Sequence, residues 1–350
     1  MQEHDWTWRG QRIAYTRIEP AQRADEPNPL NGPPLRRAVL CIHGFGANKG
    51  HWRHNLQALA GDGPLAATVY AIDLLGFGNS SKPLSQLSGE APLPGAVRYG
   101  FDLWAEQIVD FCREVIGLGA ATATPEPIQL QLIGNSIGGV VALNTARLLL
   151  ERGLHPQQLI LIDCAERELD LKRLAEQPWP ARLGRPLLMA VVRQRWLVGS
   201  LFGWLARASV VRQVLLQAYP TGRNVDAELV ELLLGPSRDP GARESFRGFV
   251  NLFDDWLAPQ LLAELSQQEP ALAVRMLWGA ADPWEPLAEA QRWQREFACV
   301  QELTVLPGLG HCPHDEAPEL VNPILQAWLQ RAWAITNERG RSRNLPEVGT

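Results

Sequence analysis

The amino-acid sequence predicts an α/β protein: a mostly parallel, doubly wound sheet interrupted by a helical insertion. Three observations predict it. Short apolar runs alternate with helical periodicities between residues 38 and 162, and strands alternating with helices build parallel sheets covered on both faces. From about 165 to 255 helical spacing continues without a strong strand. The alternation then resumes from 273 to 333. The expected division is a core of residues 1–164 and 256–336, a helical lid over 165–255, and a polar tail over 337–350 that is expected to be disordered.

The elements follow in order. Residues 6–15 alternate around Arg9-Gly10 and predict a hairpin. Residues 20–37, rich in Pro, Asn and Arg, read as a surface loop. Strands are expected at 38–42, 68–72, 128–133, 159–162, 273–278 and 301–306. Helices are expected at 52–60, 99–117, 136–152, 286–297 and 316–333. The second of these rests on Phe101, Trp104, Ile108, Phe111 and Val115, spaced by three and four.

Composition narrows the function classes. The 350 residues and 46% hydrophobic content allow one large domain with an insertion. A net charge of −5 gives no footprint for nucleic-acid binding. The cysteines, Cys41, Cys112, Cys164, Cys299 and Cys312, are odd in number and form no CxxC pair. That disfavours a zinc site or a disulfide framework and fits a reducing compartment. The first residues lack the basic and apolar runs of a signal peptide. The longest uncharged apolar run, residues 196–206 between Arg195 and Arg207, is too short to span a bilayer. The expectation is a soluble cytoplasmic protein that at most touches a membrane from the side.

Four motifs carry chemistry. The strand at 128–133 leads into Gly134-Asn135-Ser136-Ile137-Gly138, a GxSxG pattern with an apolar helix behind it. In that context the serine stands on a sharp turn with its hydroxyl above the sheet edge, and the small residues let strand and helix approach. His43-Gly44-Phe45-Gly46 follows the strand at 38–42. There the backbone N–H of Phe45, with that of Ile137, is placed to stabilise an oxyanion, and His43 is expected to hold the turn. Asp282 follows the strand at 273–278, and Asp163, which follows the strand at 159–162, is its competitor for the acid position; Asp282 is favoured. Gly308-Leu309-Gly310-His311 follows the last strand. His311 is favoured over His314 as the base, and His314 is expected to hydrogen-bond within its own loop. The order Ser136, Asp282, His311 suits attack by Ser136, proton transfer through His311 and orientation of the imidazole by Asp282. The glycines of 73–81 read as fold punctuation with a side role in walling the site. No phosphate loop, dinucleotide fingerprint or metal-spaced cluster occurs, so no cofactor or metal is implied.

Together, residues 6–15, 43–46, 73–81, 134–139, 282–284 and 310–318 resemble the α/β-hydrolases of photosynthetic organisms, the group of pheophytinase, chlorophyll dephytylase and their relatives. The run GHCPHDEAPE at 310–319 is the most distinctive match, followed by DPWE at 282–285. The resemblance spans roughly residues 6–333. It implies a Ser-His-Asp triad at the positions above and hydrolysis of the phytyl ester of a chlorophyll-type pigment. The expected function is therefore a serine hydrolase of a large apolar carboxylic ester. A carbon–carbon bond hydrolase would use the same triad. Haloalkane dehalogenases and epoxide hydrolases need an Asp nucleophile, which Ser136 opposes, and a noncatalytic scaffold is opposed by the intact triad. Apolar residues crowd 187–208, and Trp196, Phe202 and Trp204 are expected to line a pocket for the substrate's hydrocarbon part.

Overall fold

The computed structural model describes residues 2–20, 35–62, 66–119, 128–167 and 170–342. Eight strands form one sheet: β1 (Gln2–Trp8), β2 (Gln11–Ile18), β3 (Arg36–Ile42), β4 (Thr68–Ile72), β5 (Ile128–Asn135), β6 (Gln158–Ile162), β7 (Ala273–Gly279) and β8 (Val300–Leu306). Their order is β1-β2-β4-β3-β5-β6-β7-β8. The β1–β2 hairpin turns at Arg9 and Gly10, both at positive φ, and β2 joins β4 antiparallel. Every pairing from β4 through β3 to β8 is parallel.

The helices are α1 (Leu56–Ala60), α2 (Phe101–Phe111), α3 (Ile137–Glu151), α4 (Trp179–Arg193), α5 (Arg195–Leu205), α6 (Ala208–Ala218), α7 (Ala227–Leu234), α8 (Ala242–Val250), α9 (Ala258–Ser266), α10 (Leu287–Glu296), α11 (Pro313–Glu316) and α12 (Pro318–Ser342). The central strands are apolar without alternation because both sheet faces are covered. Leu40 and Ile42 of β3 face a core with Trp104 of α2 and Val140 of α3, whereas Val39 and Cys41 face Trp52, Leu56 and Trp328 on the other side. Residues i and i+1 of a strand point to opposite faces, so one apolar run serves both cores. All five cysteines are buried and free.

The stretch between β6 and α9 holds helices and turns but no strand among its described residues. Two expectations need correction. The helix expected at 52–60 is a 3₁₀ turn, Lys49–Trp52, followed by the short α1. Of the tail expected from 337, residues 337–342 belong to α12, and residues 343–350 lie outside the described residues. The loop expected at 20–37 also lies largely outside them, and β3 already begins at Arg36.

Candidate active site

The site begins where β5 ends. Ser136 sits between β5 and α3 with φ 54° and ψ −124°, a region that L-residues occupy only when the surroundings enforce it. The enforcement comes from two glycines. A Cβ on Gly134 would run into the Gly138 carbonyl, and one on Gly138 into the Ile42 carbonyl. The strand, the elbow and α3 therefore approach to a distance that no larger residue allows. The Ser136 amide donates to Ile162 O at 3.0 Å, and Ser136 O accepts from Ala165 N at 3.2 Å, which locks the turn onto the end of β6.

His311 arrives on the loop after β8. Its Nδ1 lies 2.7 Å from Asp282 Oδ2. The other oxygen of Asp282 accepts from Trp284 N at 2.8 Å and Glu285 N at 3.2 Å. Burial pushes the Asp282 carboxyl up, but the His311 contact and the backbone amides outweigh it, so its pKa falls below the usual value. His311 N donates to Ala218 O at the end of α6 at 2.9 Å, and Asn135 Nδ2 donates to both His311 O and Ile162 O, each at 3.1 Å. The residue inside the elbow motif thus ties the histidine loop to the serine turn, a role the sequence pattern alone did not single out.

Asp163 does not touch His311. It is wholly buried, and its Oδ1 accepts from Gly279 N at 2.9 Å. Burial first, and the Asp282 charge second, push its carboxyl well above the usual range. His43 is also buried. Leu74 N donates to its Nε2 at 3.1 Å, so Nδ1 carries the proton that Gly44 O accepts at 2.8 Å; the ring holds the turn. Asp73, at the head of the 73–81 segment, accepts from Lys49 N at 2.6 Å and Asn79 N at 2.7 Å.

Ser136 and His311 border one cavity of about 570 Å³, with Phe45, Ile137 and Trp284 around them. No hydrogen bond closes between the Ser136 hydroxyl and His311; such contacts commonly tighten only with substrate bound. The amides of Phe45 and Ile137 donate to no other backbone group among the described residues. Gly44 brings its turn close: a Cβ there would lie 3.1 Å from Ser136 Cβ. The remaining wall is mostly apolar, with His51, Arg167, Ser237 and Glu285 as polar members, and its apolar part comes largely from the insertion, including Phe202, Val211, Leu215, Leu233 and Phe249.

The pocket residues expected from sequence divide. Phe202 lines the cavity. Trp196 and Trp204 do not: they are 70% and 50% exposed on the outside of α5. The physical reason is the helical register. Val198, Phe202 and Leu205 share the face turned inward, and Trp196 and Trp204 lie on the opposite face. His314 is a second correction. Neither ring nitrogen has a partner; the ring is buried against Trp52 and His51, with centroids at 4.5 and 4.8 Å.

A buried polar chain flanks the cavity and escaped sequence reasoning, since its members lie far apart in the chain. His51, on the cavity wall, has Nε2 at 2.6 Å from Tyr219 OH, which donates to Asp315 Oδ2 at 3.0 Å. Arg53 Nε donates to the other Asp315 oxygen at 3.0 Å. Tyr219 has one proton and gives it to Asp315, so His51 is the neutral Nε2–H tautomer. Burial lowers its pKa from 6.5 to about 4. The unfolded chain therefore takes up this proton below pH 6.5 while the folded chain refuses it until about pH 4, so stability is lost as pH falls through that window. Wild type should lose about 2 kcal/mol more than His51→Gln between pH 7.5 and 5. Urea midpoints at the two pH values check this, and equal losses would contradict it. Glu166, pushed up to about 7 by burial, acts in the opposite sense and is common to both proteins.

Comparison with known proteins shows the family. The model of the alpha/beta hydrolase family matches residues 39–324, a span that includes the serine elbow, the acid turn and the histidine loop. The chain belongs to the alpha/beta hydrolase family. Within the family, a chloroplastic pheophytinase of Arabidopsis thaliana is 26% identical over 323 residues, covering 84% of this chain and 61% of that protein. A human (lyso)-N-acylphosphatidylethanolamine lipase is 23% identical over 311 residues, covering 83% of this chain and 78% of the lipase. Among solved structures, a serine hydrolase involved in carbazole degradation superposes with a TM-score of 0.63 at 16% identity, over 94% of this chain and 98% of that one. That last likeness is one of fold. The family's eight-stranded, mostly parallel sheet with flanking helices is the one described above.

Proposed function

We propose that this alpha/beta hydrolase cleaves a carboxylic ester of a large apolar substrate with Ser136 as nucleophile. The observation that carries the proposal is that Ser136 and His311, the latter bonded to Asp282, border a cavity whose lining is mostly apolar. His311 Nδ1–H points to Asp282, which leaves Nε2 to take the serine proton and return it to the leaving alkoxide. The Phe45 and Ile137 amides receive the oxyanion, assisted by the amino end of α3. Water then repeats the sequence on the acyl-enzyme. No step calls for a cofactor or metal.

The segment over 165–255 serves as a lid, and its inner face selects the substrate. A methylene taken from water into such a wall contributes roughly 0.8 kcal/mol, so a long hydrocarbon chain gains several kcal/mol that a short one forgoes. The phytyl ester of a chlorophyll-type pigment meets this requirement, and the pheophytinase likeness supports it. A matched series of esters tests the reading: kcat/KM should rise from acetyl esters of small alcohols to phytyl or other long-chain esters. Phe202→Ala should narrow the difference by about tenfold, because it removes wall area that only the long chain touches. A flat or falling dependence on chain length would sink the apolar-substrate reading while leaving the nucleophile standing. Labelling by a fluorophosphonate probe at Ser136 separates an enzyme from a noncatalytic scaffold.

A further inference from the structure

The apolar surface that does not line the cavity needs an explanation of its own. On α4, Trp179, Leu183 and Leu187 follow at intervals of four and are 71%, 73% and 71% exposed. Residues at that spacing form one ridge along a helix. On α5, Trp196 and Trp204 form a second exposed ridge. The opposite faces of both helices are spent on packing: Val192 of α4 and Val198 of α5 close on Phe253, with Phe246 and Val250 of α8 against them. The two ridges are therefore outward faces left without a partner among the described residues. Contiguous exposed apolar surface of this kind marks an interaction site.

Charge indicates what covers it. Between Glu176 and Asp226 there is no acidic residue and no lysine, but there are seven arginines. Arg195 pairs with Glu90 and Glu244 and Arg223 with Glu319, but α4 and α5 themselves carry arginine and no acidic residue. Arg182 lies beside Trp179 and Leu183 on α4, and Arg207 closes the Trp196–Trp204 ridge; both are exposed and form no ion pair among the described residues. A second copy is a poor occupant, since a two-fold contact would bring arginine-rich surface against arginine-rich surface. Tryptophan, leucine and arginine on a helix face match the boundary between acyl chains and anionic headgroups.

The cavity completes the argument. Phe202 and Leu205 of α5 and Val211 and Val214 of α6 form its lid-side wall. The helix whose outer face carries Trp196 and Trp204 thus supplies part of the cavity's inner wall.

We infer that the outer faces of α4 and α5 dock onto an anionic lipid bilayer, from which an apolar substrate enters the cavity beneath. The entry step rests on the ester function proposed for this cavity; the docking step does not. Co-sedimentation with vesicles, using the full chain carrying Ser136→Ala, reads docking without catalysis. Binding should be about tenfold tighter to phosphatidylcholine vesicles containing one third phosphatidylglycerol than to phosphatidylcholine alone. The double substitution Trp179→Ser/Trp196→Ser should weaken binding to the mixed vesicles by about tenfold or more. Arg182→Gln/Arg207→Gln should remove most of the preference for anionic lipid while leaving the weak zwitterionic binding. All four side chains are exposed, so the fold should tolerate both variants, which circular dichroism confirms before use. Absence of binding to either vesicle, equal binding to both, or variants that bind like the parent would overturn the inference. So would a dimer in sedimentation velocity that the tryptophan substitutions dissolve, since that would make a second copy the occupant.

Discussion

Ser136→Ala should lower turnover by roughly four to six powers of ten with little change in thermal midpoint. The side chain is small, and the strained backbone at φ 54° is imposed by Gly134 and Gly138 rather than by the hydroxyl. Alanine carries the same Cβ, so the strain and the packing stay as they are. What disappears is the oxygen proposed to attack. The cavity, the amides of Phe45 and Ile137 and the His311–Asp282 pair would remain and would still hold an ester, so KM should change far less than kcat. A variant that keeps more than about a tenth of wild-type turnover would show that the nucleophile lies elsewhere.

The second large effect is expected at Asp282. Asp282→Asn should cut turnover by about 10⁴ while preserving the fold. The reason is the way its two oxygens are used. Oδ1 accepts from the amides of Trp284 and Glu285, which an asparagine Oδ1 can continue to do. The asparagine Nδ2 then faces His311 Nδ1 and, being a donor, requires an unprotonated nitrogen there. The imidazole is forced into the Nε2–H tautomer, which cannot take the Ser136 proton. Asp163→Asn should behave differently. That carboxyl makes no bond to His311, and an asparagine Oδ1 can keep its bond to Gly279 N, so activity should stay within about tenfold of wild type. Steady-state rates of the two variants on one ester decide between the positions, and reversed sensitivities would place the working acid at 163.

The core of this fold was legible because its signals are local. An apolar run of five to eight residues before a glycine-rich turn is a buried strand, and the alternation of such runs with helical spacing forces a parallel sheet. The helix at the start was less legible: Trp52 and Leu56 fall on one apolar face, but Asn48 and Asp73 hold the preceding residues in a 3₁₀ turn. His314 was misjudged for a related reason. A histidine in a polar loop has many potential partners in sequence, and only the packing of Trp52 and His51 around it removes them. The His51–Tyr219–Asp315 chain had no sequence signal, because it joins residues separated by 168 and 96 positions.

By itself the sequence determined the positions of Ser136, Asp282 and His311, since each follows a strand end where the chain must turn, and turn chemistry depends on a few adjacent residues. It determined also that the insertion is helical and rich in Trp, Leu and Arg. Only the tertiary structure decided which of those side chains face the cavity. A helix that is apolar on most of its circumference is only weakly oriented by its own sequence, so its rotation is fixed by what it packs against. Packing of α5 on α8 turns Val198 and Phe202 inward and leaves Trp196 and Trp204 in solvent.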